Sequence, residues 1–301
     1  NSTFKIKSMN RIAESELIIN SRGAVYHLDC RPEEIAETII TVGDPDRVKE
    51  VSKLFDSIEF KNQHREFITH TGYIGKKRIT CVSTGIGPDN IDIVLNELDA
   101  LANIDFATRM IKDQLVSLNI IRFGTSGSLQ EDIPVDSFVA SSYGLGLDNL
   151  MHFYTTNNNA EETGLLEAFN THTNLTEDQL TPYITKADQH LLQLFTSGYN
   201  QGITVTCPGF FGPQGRVLRA EIAYPSLIDQ LTTFSAANQR ITNFEMETSA
   251  IYGLGKVLGH RCLSLSAIVA NRISKEFTKD GDQAVNNLIK SALNIIAQSN
   301  L

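Results

Sequence analysis

The chain has 301 residues, of which 41% are hydrophobic and 20% are charged, and its formal net charge is −9. This length and apolar content suffice for a sizeable buried core, whereas the negative charge argues against a nucleic-acid-binding or anionic-membrane-binding surface. A small anionic substrate remains compatible with the composition, because a local cluster of arginines binds anions even inside an acidic protein.

Four cysteines lie far apart in the chain, and none of them forms a CxxC pair. Each sits in or beside an apolar run, which is typical of buried free thiols in a reducing compartment. The first twenty residues lack the apolar stretch of a signal peptide, and no run reaches the ~18–20 apolar residues of a membrane span. We therefore expect a cytoplasmic protein without membrane partners, and the histidine spacing indicates no metal.

Short β-branched runs, all but the last ending in glycine, predict the strands of a sheet. In chain order they are TIITVG (38–43), RITCVSTG (78–85), IIRFG (120–124), SFVASSYG (137–144), GITVTCPG (202–209) and CLSLSAIVANR (262–272). Between several of them lie helical patterns, such as residues 90–101 and 282–298, with apolar side chains on one stripe. This alternation predicts an α/β protein, a three-layer sandwich with a central mixed β-sheet flanked by helices.

The chain offers no linker and no internal repeat, so we expect residues 1–301 to form a single domain. Residues 1–20 are interpreted as an N-terminal extension. Residues 154–183, which are polar and rich in Asn and Thr, are interpreted as a surface excursion.

Three of the glycine turns share a design suited to an anion. They are VGDPDR (42–47), STGIGPDN (83–90) and IRFGTSG (121–127). Glycines let the backbone approach an anion, a helix start adds a favourable dipole, and arginine supplies a bidentate fork. Each turn alone is more typical of an ordinary strand–helix connection, and spacing does not show that Arg47 and Arg122 converge. No P-loop, GxGxxG or GxSxG motif is present.

Two further stretches offer both a functional and a structural interpretation. In NFEMETSA (243–250), Glu245 and Glu247 point the same way on an extended piece, which suits sugar hydroxyls, but acids also favour a helix start. In PGFFGPQGR (208–216), a phenylalanine face suits a nucleobase, and Gln214 with Arg216 suits its polar edge. The alternative for that stretch is an exposed loop pinned by one buried phenylalanine.

The ordered set GDPDR, HREF, STGIG, IRFGTSG, F…QGR and NFEMETSA resembles the nucleoside phosphorylase family, in its uridine phosphorylase branch. The resemblance extends from about residue 25 to residue 276. It implies the nucleoside phosphorylase and hydrolase fold and the reversible phosphorolysis of uridine or deoxyuridine to uracil and (deoxy)ribose 1-phosphate. It further implies inorganic phosphate as co-substrate, no other cofactor, and a homo-oligomer, dimer or hexamer, with shared active sites.

The resemblance also assigns roles to residues of this chain. Phosphate would be bound by Gly43, Arg47, Arg122 and Thr125, and by Arg65 from a neighbouring subunit. Ribose would be bound by Met246, Glu247 and Glu245, and by His27 from the neighbour. The base would be bound by Phe210, Gln214, Arg216, Arg272 and Gly127. Catalysis would rest on Arg47, Arg122, Glu247 and Arg216.

The residues at the end of the last long predicted strand indicate which nucleobase is cleaved. Purine-cleaving relatives carry an aspartate there as proton donor, whereas this chain has Asn271 and Arg272, which favours a pyrimidine. Pro88 and Asp89 depart from the family pattern, in which a second glycine and a proline are expected, near a monovalent-cation site at the subunit interface. The alternatives are a broader purine and pyrimidine phosphorylase, a hydrolytic nucleosidase, and a non-catalytic nucleoside-binding or storage protein on the same fold.

Overall fold

A computed structural model describes residues 11–178 and 180–301 of the chain. Residues 1–10 of the predicted extension and residue 179 of the predicted excursion lie outside the described residues. The strands within them are β1 (Thr38–Val42), β2 (Ser57–His64), β3 (Phe67–Ile74), β4 (Lys77–Ser83), β5 (Ile104–Asp105), β6 (Met110–Ile111), β7 (Asn119–Ser128), β8 (Phe138–Gly146), β9 (Tyr183–Lys186), β10 (Asn200–Thr206), β11 (Ser235–Ala236), β12 (Gln239–Glu245), β13 (Arg261–Asn271) and β14 (Glu276–Phe277). The α-helices are α1 (Pro45–Ser52), α2 (Pro88–Asn103), α3 (Ala160–Thr173), α4 (Gln189–Gln193), α5 (Leu227–Thr233), α6 (Thr248–Leu258) and α7 (Gly281–Gln298).

Most strands join one mixed sheet, with the order β11-β12-β10-β8-β13-β7-β1-β4-β3-β2. Strands β14 and β9 pair with β13 and β8, while β5 and β6 form a separate hairpin. The centre is parallel, since β1 runs alongside β4 and β7, and β13 runs alongside β7. Helices pack against this sheet, so the predicted α/β fold with a central mixed sheet is confirmed.

The sheet curls until two distant strands meet. Strand β12 pairs with β7 through Asn243–Ser128 and Phe244–Gly127, which closes β7, β13, β8, β10 and β12 into a ring. Glycine is required at 127, because a Cβ there would lie 2.8 Å from the Phe244 ring. The ring brings the carboxyl ends of β7 and β12 together, at the edge where α/β sheets bind ligands.

The apolar patterns place the core where the sequence predicts it. All five residues of β1 are buried, as expected for a strand covered on both faces. The predicted stripe of α2 is also buried, and so is that of α7, which comprises Val285, Leu288, Ile289, Ala292 and Ile296. No helix among the residues that the structure describes combines the length and apolar character needed to cross a membrane.

The predicted N-terminal extension and the predicted surface excursion both contact the rest of the fold in their described parts. The side chain of Arg109, which follows β5, donates to the carbonyl oxygens of Ile12 at 2.9 Å and Ala13 at 3.2 Å, so the described part of the extension packs on the β5–β6 hairpin. The stretch 154–183 carries α3, whose side chains Leu165 and Phe169 are buried in the core. The division into one domain with an extension and an excursion stays a prediction.

Helix α6 lies so close to β8 that only glycine fits at position 144. A Cβ there would meet the backbone of Ser249 at 2.9 Å, and helix backbone does not yield as a flexible side chain does. We expect Gly144→Ala to lower the free energy of unfolding by about 1–3 kcal/mol through overpacking. The measurement is the urea midpoint of unfolding.

Gly164→Ala is the matched control for that substitution. Gly164 lies in α3, and a Cβ added there would have no atom within 4 Å. Because alanine favours a helix over glycine, the control should gain about 0.5–1 kcal/mol. Equal effects of the two substitutions would contradict the close approach of α6 to β8.

Candidate active site

A cavity of about 740 Å³ opens where the carboxyl ends of β1, β7 and β12 meet. Most of the predicted site residues line it, from segments far apart in the sequence. They are Gly43, Arg47, Arg122, Thr125, Gly127, Phe210, Gln214, Arg216, Glu245, Met246 and Glu247. The structure therefore brings Arg47 and Arg122 to one cavity, which their spacing in the sequence does not show.

Arg122 lines the cavity, and its side chain extends forward along β7 over Gly124. A Cβ at Gly124 would lie 1.9 Å from Nη1 of Arg122, so the glycine makes room for the guanidinium group. Among the described residues, the hydrogen bonds of Nη1 are two long ones of 3.4 Å to the hydroxyls of Ser264 and Ser266. This edge of the guanidinium group retains capacity to bind a further acceptor.

The other edge of Arg122 is held by two carboxylates. Its Nη2 lies 2.8 Å from Oε2 of Glu247 and 3.2 Å from Oε2 of Glu245, and all three side chains are buried. Burial by itself lowers the pKa of Arg122, but the two negative charges outweigh it and raise that pKa above its ordinary value. The guanidinium group is thus permanently charged and oriented by the glutamates.

The two glutamates divide the roles that the sequence leaves open. Glu245 caps α6, since its carboxylate accepts the N–H of Glu247 at 2.9 Å and of Thr248 at 3.0 Å. Glu247 accepts the N–H of Gly87 at 3.0 Å and pairs with Arg122. Burial raises the pKa of Glu247, and Arg122 opposes that shift. The helix-start interpretation therefore fits Glu245, and the ligand-binding interpretation fits Glu247.

Gly43, Arg47 and Thr125 form the corner of the cavity beside Arg122. Arg47 projects from α1, and its Nη1 lies 3.4 Å from the carbonyl oxygen of Phe123. Burial lowers the pKa of Arg47, and the positive charge of Arg122 lowers it further. Two guanidinium groups that repel each other in a buried corner favour an anion between them.

An aromatic and polar group forms the other end of the cavity. The Cζ atom of Arg216 lies 3.8 Å from the centre of the Phe210 ring and 5.8 Å from that of Phe244. Its Nη1 donates to the Phe210 carbonyl oxygen at 2.8 Å and also to Oε1 of Gln214. Burial and the charge of Arg272 lower the pKa of Arg216. Flat rings beside an amide and a guanidinium group match a planar heterocycle with polar edges.

Arg272 and Asn271 do not line the cavity. Arg272 donates to the carbonyl oxygen of Gln214 at 2.8 Å, so it holds the loop that carries Gln214 and Arg216 from outside the cavity. The amide of Asn271 donates to the carbonyl oxygens of Gln130 and Ile133 and accepts two backbone N–H groups of the following turn. All of its hydrogen-bonding capacity is used inside the protein.

His27 and Arg65 lie together on a surface outside the cavity of their own chain. Arg65 sits exposed in the β2–β3 turn with a φ of 53°, and its Cζ lies 5.8 Å from the Tyr26 ring. Nδ1 of His27 lies 2.7 Å from a carboxylate oxygen of Glu97, and the His27 carbonyl oxygen lies 3.0 Å from Nδ1 of His64. We name Tyr26, His27, His64 and Arg65 the basic surface cluster.

The cavity also contains residues that the sequence interpretation left out. They are Asp44, Pro45, Gly85, Ile86, Asn90, Ser126, Phe244, Val269, Ala270 and Phe277. Most of them belong to the recognised motifs or to the late strand, so they could have been predicted from their positions there. Phe277 carries no such signal, because it reaches the cavity only through the pairing of β14 with β13.

The comparisons with known proteins agree with this geometry. A family model described as the phosphorylase superfamily matches residues 37–297. A uridine phosphorylase of Thermococcus kodakarensis is 27% identical over 290 residues, covering 96% of this chain and 93% of the relative. A DeoD-type purine nucleoside phosphorylase of Listeria welshimeri is 24% identical over 273 residues, covering 89% and 97%.

A solved structure has the same fold over nearly the full length of both chains. It is a Trypanosoma brucei nucleoside phosphorylase, described as showing uridine phosphorylase activity. Its TM-score is 0.84 at 29% identity, with 93% of this chain and 98% of that chain covered. With the family model matching most of the sequence, the chain belongs to the phosphorylase superfamily.

Proposed function

We propose that this protein is a uridine phosphorylase, which cleaves uridine or deoxyuridine with inorganic phosphate to uracil and (deoxy)ribose 1-phosphate, reversibly. The observation that carries the proposal is the convergence of Arg47 and Arg122 in one cavity with Phe210, Gln214 and Arg216. The activity named for the Thermococcus and Trypanosoma relatives supports it.

The proposed reaction needs two anions and one cation to be stabilised, and the cavity offers a group for each. Phosphate would lie in the corner of Gly43, Arg47 and Thr125, against the free edge of Arg122. The ribose gains positive charge as its bond to the base breaks, beside phosphate and Glu247. Negative charge on the leaving uracil would be stabilised by Arg216. Positioning and electrostatics suffice, so we propose no cofactor beyond phosphate as co-substrate.

Arg122 would couple the two substrates. One edge of its guanidinium group holds Glu247, and the other edge faces the phosphate corner. A phosphate bound there would lie within one side chain of the carboxylate that orients the ribose. This link favours phosphorolysis over the hydrolytic alternative, because a nucleosidase has no need of an anion at this corner.

The hydrogen bonds of Asn271 support the interpretation that the substrate carries a pyrimidine base. Its amide is fully used by backbone groups, so this position offers no proton donor to a purine base. The Listeria relative is a purine phosphorylase, which keeps a broader nucleoside range as the second candidate.

The deciding experiment incubates the protein with uridine, and separately with inosine, with and without phosphate. We expect uracil to be released only when phosphate is present, and hypoxanthine release to be far slower. Uracil release in water alone would identify a nucleosidase, and binding without turnover would identify a storage protein. Comparable cleavage of inosine would establish the broader specificity.

We propose that the active unit is a homo-oligomer, with Arg65 and His27 entering the cavity of a second copy. The first support is charge balance, since the arginines that line the cavity are already matched in number by its carboxylates before phosphate enters. They are Arg47, Arg122 and Arg216 on one side, and Asp44, Glu245 and Glu247 on the other. A further cation is needed, and Arg65 pairs with no carboxylate among the described residues. The second support is location. Arg65 and His27 come from two separate segments but lie on one surface, the basic surface cluster, so both would face the same neighbouring copy.

A reducing compartment suits the four cysteines. Each is buried as a free thiol in the described part of the chain, and burial raises the pKa of Cys30 to about 11. We propose on this ground that the enzyme acts in the cytoplasm.

Arg47→Ala tests the phosphate corner. The one side-chain hydrogen bond that Arg47 makes among the described residues goes to Phe123, beside the phosphate corner. We therefore expect kcat/KM for phosphate to fall by about 10²–10³, as for loss of a preorganised donor. Uridine binding without phosphate should stay within about twofold of the wild type. Steady-state kinetics and calorimetry measure the two effects.

Lys49→Ala is the control for that variant, since Lys49 lies on the same helix with its charge in solvent beside Asp46. It should leave both constants unchanged. An equal loss of uridine affinity in Arg47→Ala would contradict the assignment of Arg47 to phosphate.

Mixing two inactive variants tests the shared site. If Arg65 acts in the neighbour's cavity, a mixed dimer of Arg47→Ala and Arg65→Ala chains has one intact site. Random re-pairing after mild dissociation would then restore roughly a quarter of wild-type activity. If Arg65 acts within its own chain, every site keeps one defect and no activity returns.

A further inference from the structure

A second cavity, of about 700 Å³, lies at the amino ends of the strands whose carboxyl ends form the active site. Arg261, Asn119 and Thr38 open β13, β7 and β1, and the strand register pairs them side by side. Paired residues of neighbouring parallel strands project to the same face, so these polar side chains form a row. Thr125 of the active site lies six residues further along β7, or roughly 20 Å away.

Two polar groups in this row have no hydrogen-bond partner among the described residues. One is Nε of Arg261, which is a buried donor, and the other is Oδ1 of Asn119. Asn119 is only 4% exposed, and the Arg261 side chain pairs with no carboxylate in the described part of the chain. Buried polar groups are nearly always satisfied by protein, water or ligand. These two atoms are themselves shielded from solvent, but both residues line the cavity, so a ligand there would meet the outer groups of the two side chains.

The walls of the cavity concentrate positive charge on a protein of net charge −9. Lys77 is held by carbonyl oxygens at the end of α7, and Arg78 by main-chain carbonyls before β1 and a carboxylate of β2. Lys76 is exposed and, within the described residues, has no such partner. Glu37 is the one acidic side chain among the lining residues that the structure describes. Lys76 and Arg261 thus remain available to an anion.

We propose that this second cavity binds a small phosphate-bearing polyol of the sugar phosphate class. Arg261 and Lys76 supply the charged donors that phosphate oxygens prefer. The amide of Asn119 suits a hydroxyl group, and the volume exceeds what phosphate alone would fill. The site is separate from the catalytic cavity, and its argument does not depend on the proposed reaction.

Calorimetric titration with ribose 5-phosphate tests the site. The titration uses the full chain carrying Arg47→Ala, so that phosphate binding in the catalytic cavity is weakened. Adding Arg261→Ala should lower the affinity at least about tenfold, since a hydrogen bond from a charged group is lost. Lys76→Glu, a charge reversal at an exposed position, should also lower it several-fold. Adding Lys290→Ala, an exposed cation of α7, should leave it unchanged.

Three results would overturn the proposal. The first is an affinity for ribose 5-phosphate that neither Arg261→Ala nor Lys76→Glu changes, which would leave ordered water as the occupant. The second is an equal loss in Lys290→Ala, which would indicate a general charge effect. The third is binding of inorganic phosphate as tight as that of ribose 5-phosphate, which would remove the role of the polyol. Turnover of uridine enters none of these measurements, so failure here leaves the proposed activity standing.

Discussion

The ion pair of Arg122 with Glu245 and Glu247 is the interaction on which the rest of the site depends. A buried guanidinium group is costly unless carboxylates and hydrogen bonds compensate it, and removing one partner leaves an uncompensated charge. Glu245 is itself fixed by the first N–H groups of α6, and Glu247 by the N–H of Gly87. The pair therefore locks β7, the end of β12 and the starts of α2 and α6 into one arrangement.

Glycines on β7 make this arrangement sterically possible. Gly124 leaves the space into which the Arg122 side chain extends, and Gly127 lets β7 approach the Phe244 ring. A side chain at the first position would push the guanidinium group off the glutamates. A side chain at the second would separate β7 from β12 and open the ring of strands. The stretch RFGTSG is therefore a packing requirement as well as an anion-binding one.

The sequence predicted elements and motifs better than it predicted how they meet. Apolar strand runs, the helical stripes and the glycine turns are local patterns, and the α/β fold follows from their order. Closure of the ring depends on Phe244 pairing with Gly127, which lie 117 residues apart, and no local pattern encodes that register. Convergence of Arg47 with Arg122 depends on the parallel pairing of β1 with β7, two strands that are also far apart in the sequence.

The sequence also did not predict the direction in which some side chains point. Arg272 stands in the base-binding set by its motif position, yet its guanidinium group turns to the carbonyl oxygen of Gln214. Phe277 reaches the cavity without belonging to any motif. In both cases the direction is set by the β13–β14 hairpin, whose geometry depends on Asn271 accepting the N–H groups of the turn. Residue type and order do not specify which way such a turn points its side chains.

The basic surface cluster is the feature on which the proposed sharing of the site between two copies depends. Arg65 occupies a left-handed conformation at the tip of the β2–β3 turn, which presents its side chain to solvent. The exposed guanidinium group stacks toward Tyr26 rather than pairing with a carboxylate among the described residues. In the cavity, by contrast, the three lining arginines are already matched by three carboxylates, so an incoming phosphate adds charge without a counter-ion. In the proposed homo-oligomer, the exposed cation of one copy would supply the charge that the cavity of the other copy lacks, and the affinity for phosphate would then depend on that assembly.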